Sequence, residues 1–333
     1  STMSLPLGSC FLFCLSAKQR MAVFRLPSLK VFRLVVYLAI IFFLSPTAVS
    51  TMLLQGKRVL VTGAGRGIGR AIALICHKQG AQVAVASRTA SQIEETVALA
   101  SSAVAEKDDG STPSSSSSCG SDNKMLAFTC DVTNAIQVES MVQHIVDQWG
   151  GLDILINNAG GAQPTKGTVE SLTNPQELMQ LLQLNVVSVH TVTSAVLRLA
   201  MKQDGRILNI SSKAGKVGLA NMSFYVASKF ALEGLTATWA KELKDKNIVV
   251  NSISPGMVDT QSFPKAPGRP GVRSAESIEG ALLMALTTPM KFTGHYVHVD
   301  ELDMVRKREL PDSRAWKKID EPSIEDSLPP ADV

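Results

Sequence analysis

A tyrosine and a lysine stand four residues apart in the stretch "SFYVASKF" at 223–230. On a helix, positions i and i+4 share a face, so the side chains of Tyr225 and Lys229 are predicted to point towards one site. A free tyrosine has a pKa near 10. We expect the nearby ammonium to favour the phenolate and lower that pKa towards neutrality, where general acid–base catalysis is efficient.

The segment "VLVTGAGRGIGRAIAL" predicts a phosphate-binding turn. An apolar strand runs into a glycine-rich turn with Gly63, Gly67 and Gly69, and an amphipathic helix follows directly. Glycines permit a tight turn and let a pyrophosphate approach the backbone N–H groups at the positive helix end. The strand before and the helix after supply the context that this motif requires.

The elements that must position these residues alternate regularly from Lys57 onwards. Helical stretches are predicted at 68–79, 134–149, 175–201 and 224–244. Between them lie seven short apolar runs, namely "RVLVTG", "QVAVAS", "MLAFTCDV", "LDILINNAG", "RILNIS", "IVVNSISPG" and "HYVHVD". This pattern predicts an α/β fold: a Rossmann-type, doubly wound, seven-stranded parallel sheet with helices on both faces, in a single domain.

The ordered motifs resemble the short-chain dehydrogenase/reductase family over about residues 57–300. The turn has the spacing T-G-x-x-x-G-x-G, "NNAG" (157–160) follows the fourth strand, and "YVASK" comes 13 residues after Ser212. "CDV" closes the third strand and "SPGMVDT" (254–260) follows the sixth. The resemblance implies Asn185, Ser212, Tyr225 and Lys229 as the catalytic set.

The resemblance also assigns roles to individual residues. Ser212 is expected to hydrogen-bond the reacting oxygen, and Asn185 to help hold a water that relays the proton. Lys229 is expected to bind the nicotinamide ribose as well, and Asp131 to contact the adenine. The residues expected to bind the cofactor are Gly63, Arg66, Gly67, Ile68, Gly69, Ser87, Arg88, Asp131, Val132, Asn158, Ala159, Gly160, Tyr225, Lys229, Pro255, Gly256, Val258 and Thr260.

The second strand indicates NADP rather than NAD as this cofactor. An acidic residue at its end would bind the ribose hydroxyls of NAD, whereas an arginine accommodates the extra phosphate of NADP. Here Ser87 stands at that position with Arg88 beside it, and Arg66 adds a second cation from the glycine turn. Guanidinium groups give bidentate phosphate contacts.

The resulting interpretation is an NADP-dependent oxidoreductase acting on a carbonyl or secondary alcohol. Two alternatives stay open: a catalytically silent cofactor-binding or sensing protein, and an epimerase or dehydratase on the same fold. The helices 175–201 and 224–244 are long and apolar on more than one face, and the resemblance implies that the face not covering the sheet pairs across a two-fold axis, so a homodimer or homotetramer is expected. The short Pro- and Gly-rich segment after "SPGMVDT" does not define the substrate. The last strand reads "HYVHVDELD" where many relatives carry V-D-G-G, which puts contacts near that end in doubt.

Composition excludes other classes of function. The net charge is only +4, which gives no general case for nucleic-acid binding. The five cysteines have neither metal-ligand spacing nor a disulfide pattern, and the histidines are scattered, so no metal site is expected. Cys76 and Cys130 lie in apolar runs and are predicted to be core thiols.

Three segments fall outside the repeating pattern. Residues 1–55 contain an uncharged run at 34–54, long enough to span a bilayer, which predicts an anchor in an endomembrane such as the endoplasmic reticulum. The alternative is a signal or transit peptide cleaved near Ser50, with a secreted or organellar product. An anchor would suit a lipophilic substrate.

The Ser-rich stretch 101–124 predicts a disordered surface insertion in the domain 56–300. Residues 301–333 are predicted to form a charged C-terminal tail.

Overall fold

The apolar runs form the parallel strands of one sheet in the computed structural model. The structure describes residues 52–105, 125–261, 264–265, 269–306 and 317–318. Within them the strands are β1 (Arg58–Thr62), β2 (Gln82–Ser87), β3 (Leu126–Thr129), β4 (Ile154–Asn157), β5 (Arg206–Ile210), β6 (Val249–Ser254) and β7 (His295–His298). All seven pair in parallel.

The strand order is β3-β2-β1-β4-β5-β6-β7, so the winding direction reverses between β1 and β4. The carboxyl ends of strands beside such a switch point form the crevice in which α/β proteins bind ligands. An eighth, antiparallel strand, β8 (Lys317–Lys318), pairs with β7. It is too short to show a period of two in the sequence.

Helices connect the strands close to the predicted positions. In the described residues they are α1 (Gly67–Lys78), α2 (Ala90–Ala105), α3 (Ala135–Trp149), α4 (Pro175–Leu182), α5 (Ser188–Leu199), α6 (Ser223–Glu242), α7 (Glu279–Thr287) and α8 (Val299–Arg306). The predicted helix 175–201 is interrupted by a π-helical turn at Gln183–Val187, which joins α4 to α5.

Two apolar cores sandwich the sheet. On one face, Ile72 of α1 and Leu282 of α7 pack with the inward side chains of β1 and β2. On the other face, Val192 of α5 and Leu232 of α6 pack against β4 and β5. These layers confirm a single α/β domain with helices on both faces. Cys76 and Cys130 are buried, as predicted.

Two boundaries differ from the prediction. Helix α2 runs to Ala105, five residues into the proposed insertion, because alanine and backbone-bonded serines such as Ser101 and Ser102 continue the helix. The remainder, 106–124, lies outside the described residues. The proposed tail begins inside α8, where Leu302 is buried in the core.

The N-terminal prediction falls mostly outside the described residues, which begin at Met52. Leu54, the last residue of the uncharged run, is 2% exposed and belongs to the core against β1 and β2. In the part of the chain that the structure describes, no helix is long and apolar enough to cross a membrane.

Candidate active site

The turn after β1 leaves no room for side chains. Gly63 has φ +65°, and a Cβ there would lie 2.8 Å from Ala159 Cα. A Cβ on Gly69 would lie 2.2 Å from the carbonyl oxygen of Gly63. Asn158 closes the turn from β4, since its Nδ2 donates to the carbonyl oxygens of Thr62 and Gly63 at 3.0 and 3.1 Å. Glycine is therefore required by close backbone approach, as the motif predicts.

The same turn presents the open end of a helix. Helix α1 begins at Gly67, no side chain caps its N-terminus, and its first turn contains no acidic residue. Arg70 fixes the turn from within α1, because its Nε donates to the Gly65 carbonyl oxygen at 3.1 Å while its guanidinium pairs with Glu95. The unsatisfied N–H groups and the helix dipole make this end suited to a phosphate.

The end of β2 lies against the glycine turn. A Cβ on Gly65 would lie 2.7 Å from Ser87 Oγ, so this serine directly adjoins the turn. Arg88 is exposed beside it. Hydrogen bonds from Thr133 hold the pKa of Asp131 below its ordinary value, and the charge of Arg88 acts in the same direction. Ser87, Arg88 and Asp131 thus form one edge of the crevice.

Asn185 lies at the centre of the π-helical turn and is 1% exposed. Its Oδ1 accepts a hydrogen bond from Gly161 N at 2.8 Å. Its Nδ2 donates to the Gly161 carbonyl oxygen at 3.1 Å and to Ser228 Oγ at 3.0 Å. The side-chain amide is fully engaged with protein groups, so it ties the loop after β4 to helix α6. The water-holding role stays a prediction, and it would fall to other atoms of this turn.

Tyr225 is held in the first turn of α6. Its backbone N–H donates to Gln163 Oε1 at 3.0 Å, and its carbonyl oxygen accepts from Ser228 Oγ at 2.8 Å. Ser212 follows β5 and adjoins the phenol. Burial raises the pKa of Tyr225, and a hydrogen bond with Ser212 opposes that rise only in part.

Lys229 lies one helical turn beyond Tyr225 on the same face, as the spacing predicts. Its Nζ donates to the Ile210 carbonyl oxygen at 3.0 Å and lies 5.8 Å from the centre of the tyrosine ring. Burial lowers the pKa of Lys229 to about 8, against the charge of Glu233, which raises it. The expected lowering of the phenol pKa by the ammonium is wrong for this geometry. Burial dominates, and the lysine is bound to a carbonyl oxygen instead.

The loop after β6 closes the site. Gly256 has φ +75°, and a Cβ there would lie 3.0 Å from Asp300 Oδ1. Arg273 pairs with Asp300 at 2.8 Å and donates its backbone N–H to the Met257 carbonyl oxygen at 2.8 Å. A Cβ on Gly67 would meet Thr260 Cγ2 at 3.1 Å. The Arg273–Asp300 ion pair thus lies beside this loop, together with the start of α8, in which Glu301 and Leu302 stand in place of the two glycines of V-D-G-G.

The structure brings the predicted residues to the carboxyl edge of the sheet in two groups. One group surrounds the glycine turn and the end of β2. The other joins Ser212, Tyr225, Lys229 and Asn185. Of the remaining predicted positions, the side chains that are buried or partly buried around the crevice are Ile68, Val132, Ala159, Pro255 and Val258.

Sequence reasoning missed four residues that shape the site: Arg70, Gln163, Arg273 and Asp300. The side chain of Arg70 extends back to the Gly65 carbonyl oxygen, but in the sequence Arg70 occupies a position typical of exposed helix surface. Gln163 and Arg273 lie in irregular loops, where spacing predicts no contact. Among the described residues, no group of three or more His, Cys, Asp or Glu side chains is arranged to hold a metal ion.

Comparison with known proteins places this site in a family. The family profile described as short chain dehydrogenase matches residues 57–268. The 3-oxoacyl-[acyl-carrier-protein] reductase FabG of Vibrio cholerae is 33% identical over 210 residues, covering 63% of this chain and 76% of the relative. The corresponding reductase of Synechocystis is 30% identical over 258 residues, covering 74% and 96%.

Solved structures give the same result. A short-chain dehydrogenase from Shigella flexneri 2a, complexed with NADP, superposes with a TM-score of 0.64 at 26% identity, covering 75% of this chain and 99% of that one. A short-chain dehydrogenase/reductase from Serratia marcescens superposes with a TM-score of 0.61 at 32% identity, covering 74% and 96%. This chain belongs to the short-chain dehydrogenase family.

Proposed function

We propose that this protein is an NADP-dependent oxidoreductase that transfers a hydride between the nicotinamide and a carbonyl or secondary alcohol. The observation that carries the proposal is the hydrogen-bonded pair of Ser212 and Tyr225, with Lys229 on the same helix face. This set lies at the carboxyl edge of the sheet, where the glycine turn also opens. A proton donor and an anion-binding turn at one crevice are what carbonyl reduction requires.

Each residue of the set has a task in reduction. NADPH, when bound, supplies the hydride that adds to the carbonyl carbon. The phenol of Tyr225 gives its proton to the carbonyl oxygen, and the hydroxyl of Ser212 binds that oxygen and orients it. Because burial raises the pKa of Tyr225, the phenol stays protonated at neutral pH, which favours proton donation over proton removal.

The residues around the glycine turn fit NADP. The tight glycine turn leads directly into the uncapped N-terminus of helix α1, which offers backbone N–H donors to a pyrophosphate. Ser87 places no carboxylate near a 2′-phosphate, while Arg88 and Arg66 are exposed cations at the same edge. The NADP complex of the Shigella relative supports this assignment.

A 3-oxoacyl thioester is the substrate class that we propose to test first. The FabG relatives are reductases of such compounds on an acyl carrier protein. Lys265, in the loop after β6, has its pKa lowered by burial and by the charges of Arg269 and Lys166. These three cations come from the loops after β4 (Lys166) and β6 (Lys265 and Arg269). They suit a substrate that carries a phosphate or an acidic carrier.

The alternatives have less support. A silent cofactor-binding protein has no need of a hydrogen-bonded serine–tyrosine pair, and both residues are present and bonded. No described contact favours epimerisation or dehydration over hydride transfer. Oxidation of NADPH or reduction of NADP by the protein in the presence of substrate would distinguish hydride transfer from both alternatives.

The test is NADPH oxidation by the full chain with a panel of 3-oxoacyl thioesters, ketones and aldehydes, followed at the absorbance of NADPH. Tyr225→Phe should lower kcat at least a hundredfold, in the upper part of the range for a lost acid–base group, and leave NADPH binding unchanged. The variant Phe224→Tyr, at the neighbouring position, is the matched control and should keep activity. Comparable kcat in Tyr225→Phe would contradict the proposal.

A further inference from the structure

A basic groove lies at the amino edge of the sheet, at the opposite end of the strands from the active site. It runs between the end of α6 and the loop that enters β7, and its volume is about 340 Å³. Its lining combines exposed lysines with apolar side chains, namely Lys241, Lys244 and Lys291 with Ala237, Ala240 and Met290. None of the described residues that line it is acidic. This lysine groove therefore suits a ligand that is negatively charged and also carries apolar groups.

The wall of the lysine groove at β7 is fixed by the sheet. A Cβ on Gly294 would lie 3.3 Å from Ala240 Cβ, so the start of β7 packs directly on α6. The backbone N–H of Gly294 donates to the Val250 carbonyl oxygen at 2.8 Å, and Thr293 Oγ1 accepts the Val250 N–H at 3.0 Å. The groove is therefore a built feature of the folded domain.

Strand β8 directs the chain towards this groove. It runs antiparallel to β7, with Lys317 opposite Tyr296 and Lys318 opposite His295. The chain direction at Lys318 therefore points towards Gly294, the next residue along the partner strand and part of the groove lining. In the described part of the chain β8 is the outer strand of the sheet. Proteins commonly cover such an edge with a loop.

The segment that follows β8 is complementary to the lysine groove in charge. Residues 319–333 read "IDEPSIEDSLPPADV", with five acids and neither Lys nor Arg. Ile319, Ile324 and Leu328 stand among these acids and supply apolar side chains for the alanine and methionine surface of the groove. An extended chain advances roughly 3.3 Å per residue, so a few residues suffice to enter a groove that begins beside Gly294.

We propose that the acidic segment 319–333 binds in the lysine groove of its own chain and covers the outer edge of the sheet beside α6. The covalent link through β8 gives the segment an effective concentration on the order of millimolar, so contacts that are weak between separate molecules become populated. Two exposed acids, Glu242 and Asp245, lie near the end of α6 but do not line the groove. The proposal involves no active-site residue, so it stands or falls independently of the proposed function.

Zero-length cross-linking of the full chain with a carbodiimide tests the contact directly, because this reagent joins a carboxylate to an amine only where the two touch. Mass spectrometry should identify amide links from the lysines of the groove to the acids of 319–333. A link within one chain leaves the chain mass unchanged on a denaturing gel, whereas a link between two chains doubles it. We expect the links in the band of single-chain mass. Lys78, an exposed lysine at the end of α1 on the other face of the sheet, is the internal control and should not link to the segment.

Hydrogen exchange measures how far the binding depends on charge. At low salt the backbone amides of 319–333 should exchange about fivefold more slowly than in about 0.5 M NaCl, because salt screens exposed ion pairs. Lys291→Glu should abolish that protection at low salt, since it places a carboxylate in the groove. Lys78→Glu makes the same charge change on the other face of the sheet and is the matched control, which should keep the wild-type exchange.

Three results would overturn the proposal. The first is the absence of links between the groove lysines and 319–333. The second is their presence only in the band of doubled mass, which would assign the groove to the acidic segment of a second copy. The third is equal exchange of 319–333 in the wild type and in Lys291→Glu at low salt.

Discussion

Gln163 contacts helix α6 at Tyr225, the proposed proton donor. Its Oε1 accepts the backbone N–H of Tyr225 at 3.0 Å, its Nε2 donates to the Thr165 carbonyl oxygen at 2.7 Å, and the side chain is buried. Helix α6 has no side-chain cap of its own at Met222. One amide therefore satisfies a first-turn donor and fixes the phenol relative to the loop that follows β4.

Replacing Gln163 should affect chemistry more than cofactor binding. Gln163→Leu leaves the Tyr225 N–H buried without an acceptor, which costs on the order of 1–3 kcal/mol and loosens the first turn. We expect kcat to fall about tenfold or more, with the Kd for NADPH within about twofold of the wild type. Steady-state kinetics and fluorescence titration measure the two quantities. Gln163→Glu retains the acceptor and should lose less, so equal losses in the two variants would contradict the capping role.

Arg88 should determine the choice between the two nicotinamide cofactors. Arg88→Asp removes a cation and places a carboxylate beside Ser87, where it repels a 2′-phosphate and accepts hydrogen bonds from ribose hydroxyls. The ratio of kcat/KM for NADPH to that for NADH should fall about a hundredfold, as expected when a charge-assisted contact is replaced by repulsion. Lys244→Asp, an exposed site beyond the far end of α6, is the control. A wild type that already prefers NADH would refute the argument.

At the scale of elements, Arg58 and Asp153 join β1 to the start of β4. The guanidinium donates from Nε to Oδ2 at 2.9 Å and from Nη2 to Oδ1 at 2.7 Å, and the backbone N–H of Arg58 adds a third bond at 2.8 Å. Burial alone would raise the pKa of Asp153, but the hydrogen bonds and charge of Arg58 outweigh it and hold that pKa below its ordinary value. The carboxylate therefore contributes to stability only while it is ionised.

Asp153→Asn should lower the free energy of unfolding at pH 7 by on the order of 1.5–3 kcal/mol, the range for hydrogen bonds to a charged group. Because the folded pKa lies below the unfolded value of about 3.9, the contribution is fully present above pH 5. It is lost as the pH falls through the folded pKa. Urea denaturation at pH 7 and near pH 3 measures this, and the two proteins should converge in acid. A difference that persists at low pH would show that the loss is not electrostatic.

Residues whose role follows from local backbone geometry or helical spacing can be predicted from the sequence. Gly63 and Gly69 were identifiable because close backbone approach excludes every other residue, and Tyr225 and Lys229 because helical spacing alone places them on one face. The π-helical turn at Asn185 was not predictable, since it depends on tertiary bonds to Gly161 and Ser228 rather than on local propensity. The pKa of Tyr225 was predicted in the wrong direction because burial, which decides it, is set by the whole fold.

At the scale of the whole molecule, the two predictions for the segment before the domain, an anchor or a cleaved peptide, can be distinguished by experiment. Leu54 is buried in the domain core, so a membrane anchor in 34–54 would have to end before it. If the segment is an uncleaved anchor, carbonate extraction should leave the full-length protein in the membrane pellet. N-terminal sequencing of the recovered protein provides the check. A soluble product that begins near Thr51 would contradict the anchor and indicate a cleaved signal or transit peptide.

The surface of helices α4 to α6 predicts self-association. Met179, Val187 and Phe230 are 60%, 44% and 47% exposed, and they come from α4, the π-helical turn and α6. Exposed apolar residues on neighbouring elements typically mark an interface, whereas isolated ones do not. We propose that this face pairs with its copy about a two-fold axis, which a homodimer or tetramer requires. The π-helical turn that contributes Val187 to this face also contains the buried Asn185, so pairing would also stabilise the turn that supports the site.

Phe230→Asp should disrupt that pairing. A carboxylate within a self-complementary apolar face is buried in both copies on pairing, and both desolvation and like-charge repulsion then oppose association. Light scattering at micromolar concentration should give twice or four times the chain mass for the wild type and the chain mass for the variant. Ile136→Asp is the matched control: Ile136 is 81% exposed on α3, a helix that contributes none of these three residues, and its replacement should leave the assembly intact. A monomeric wild type, or equal dissociation in both variants, would exclude this face as the interface.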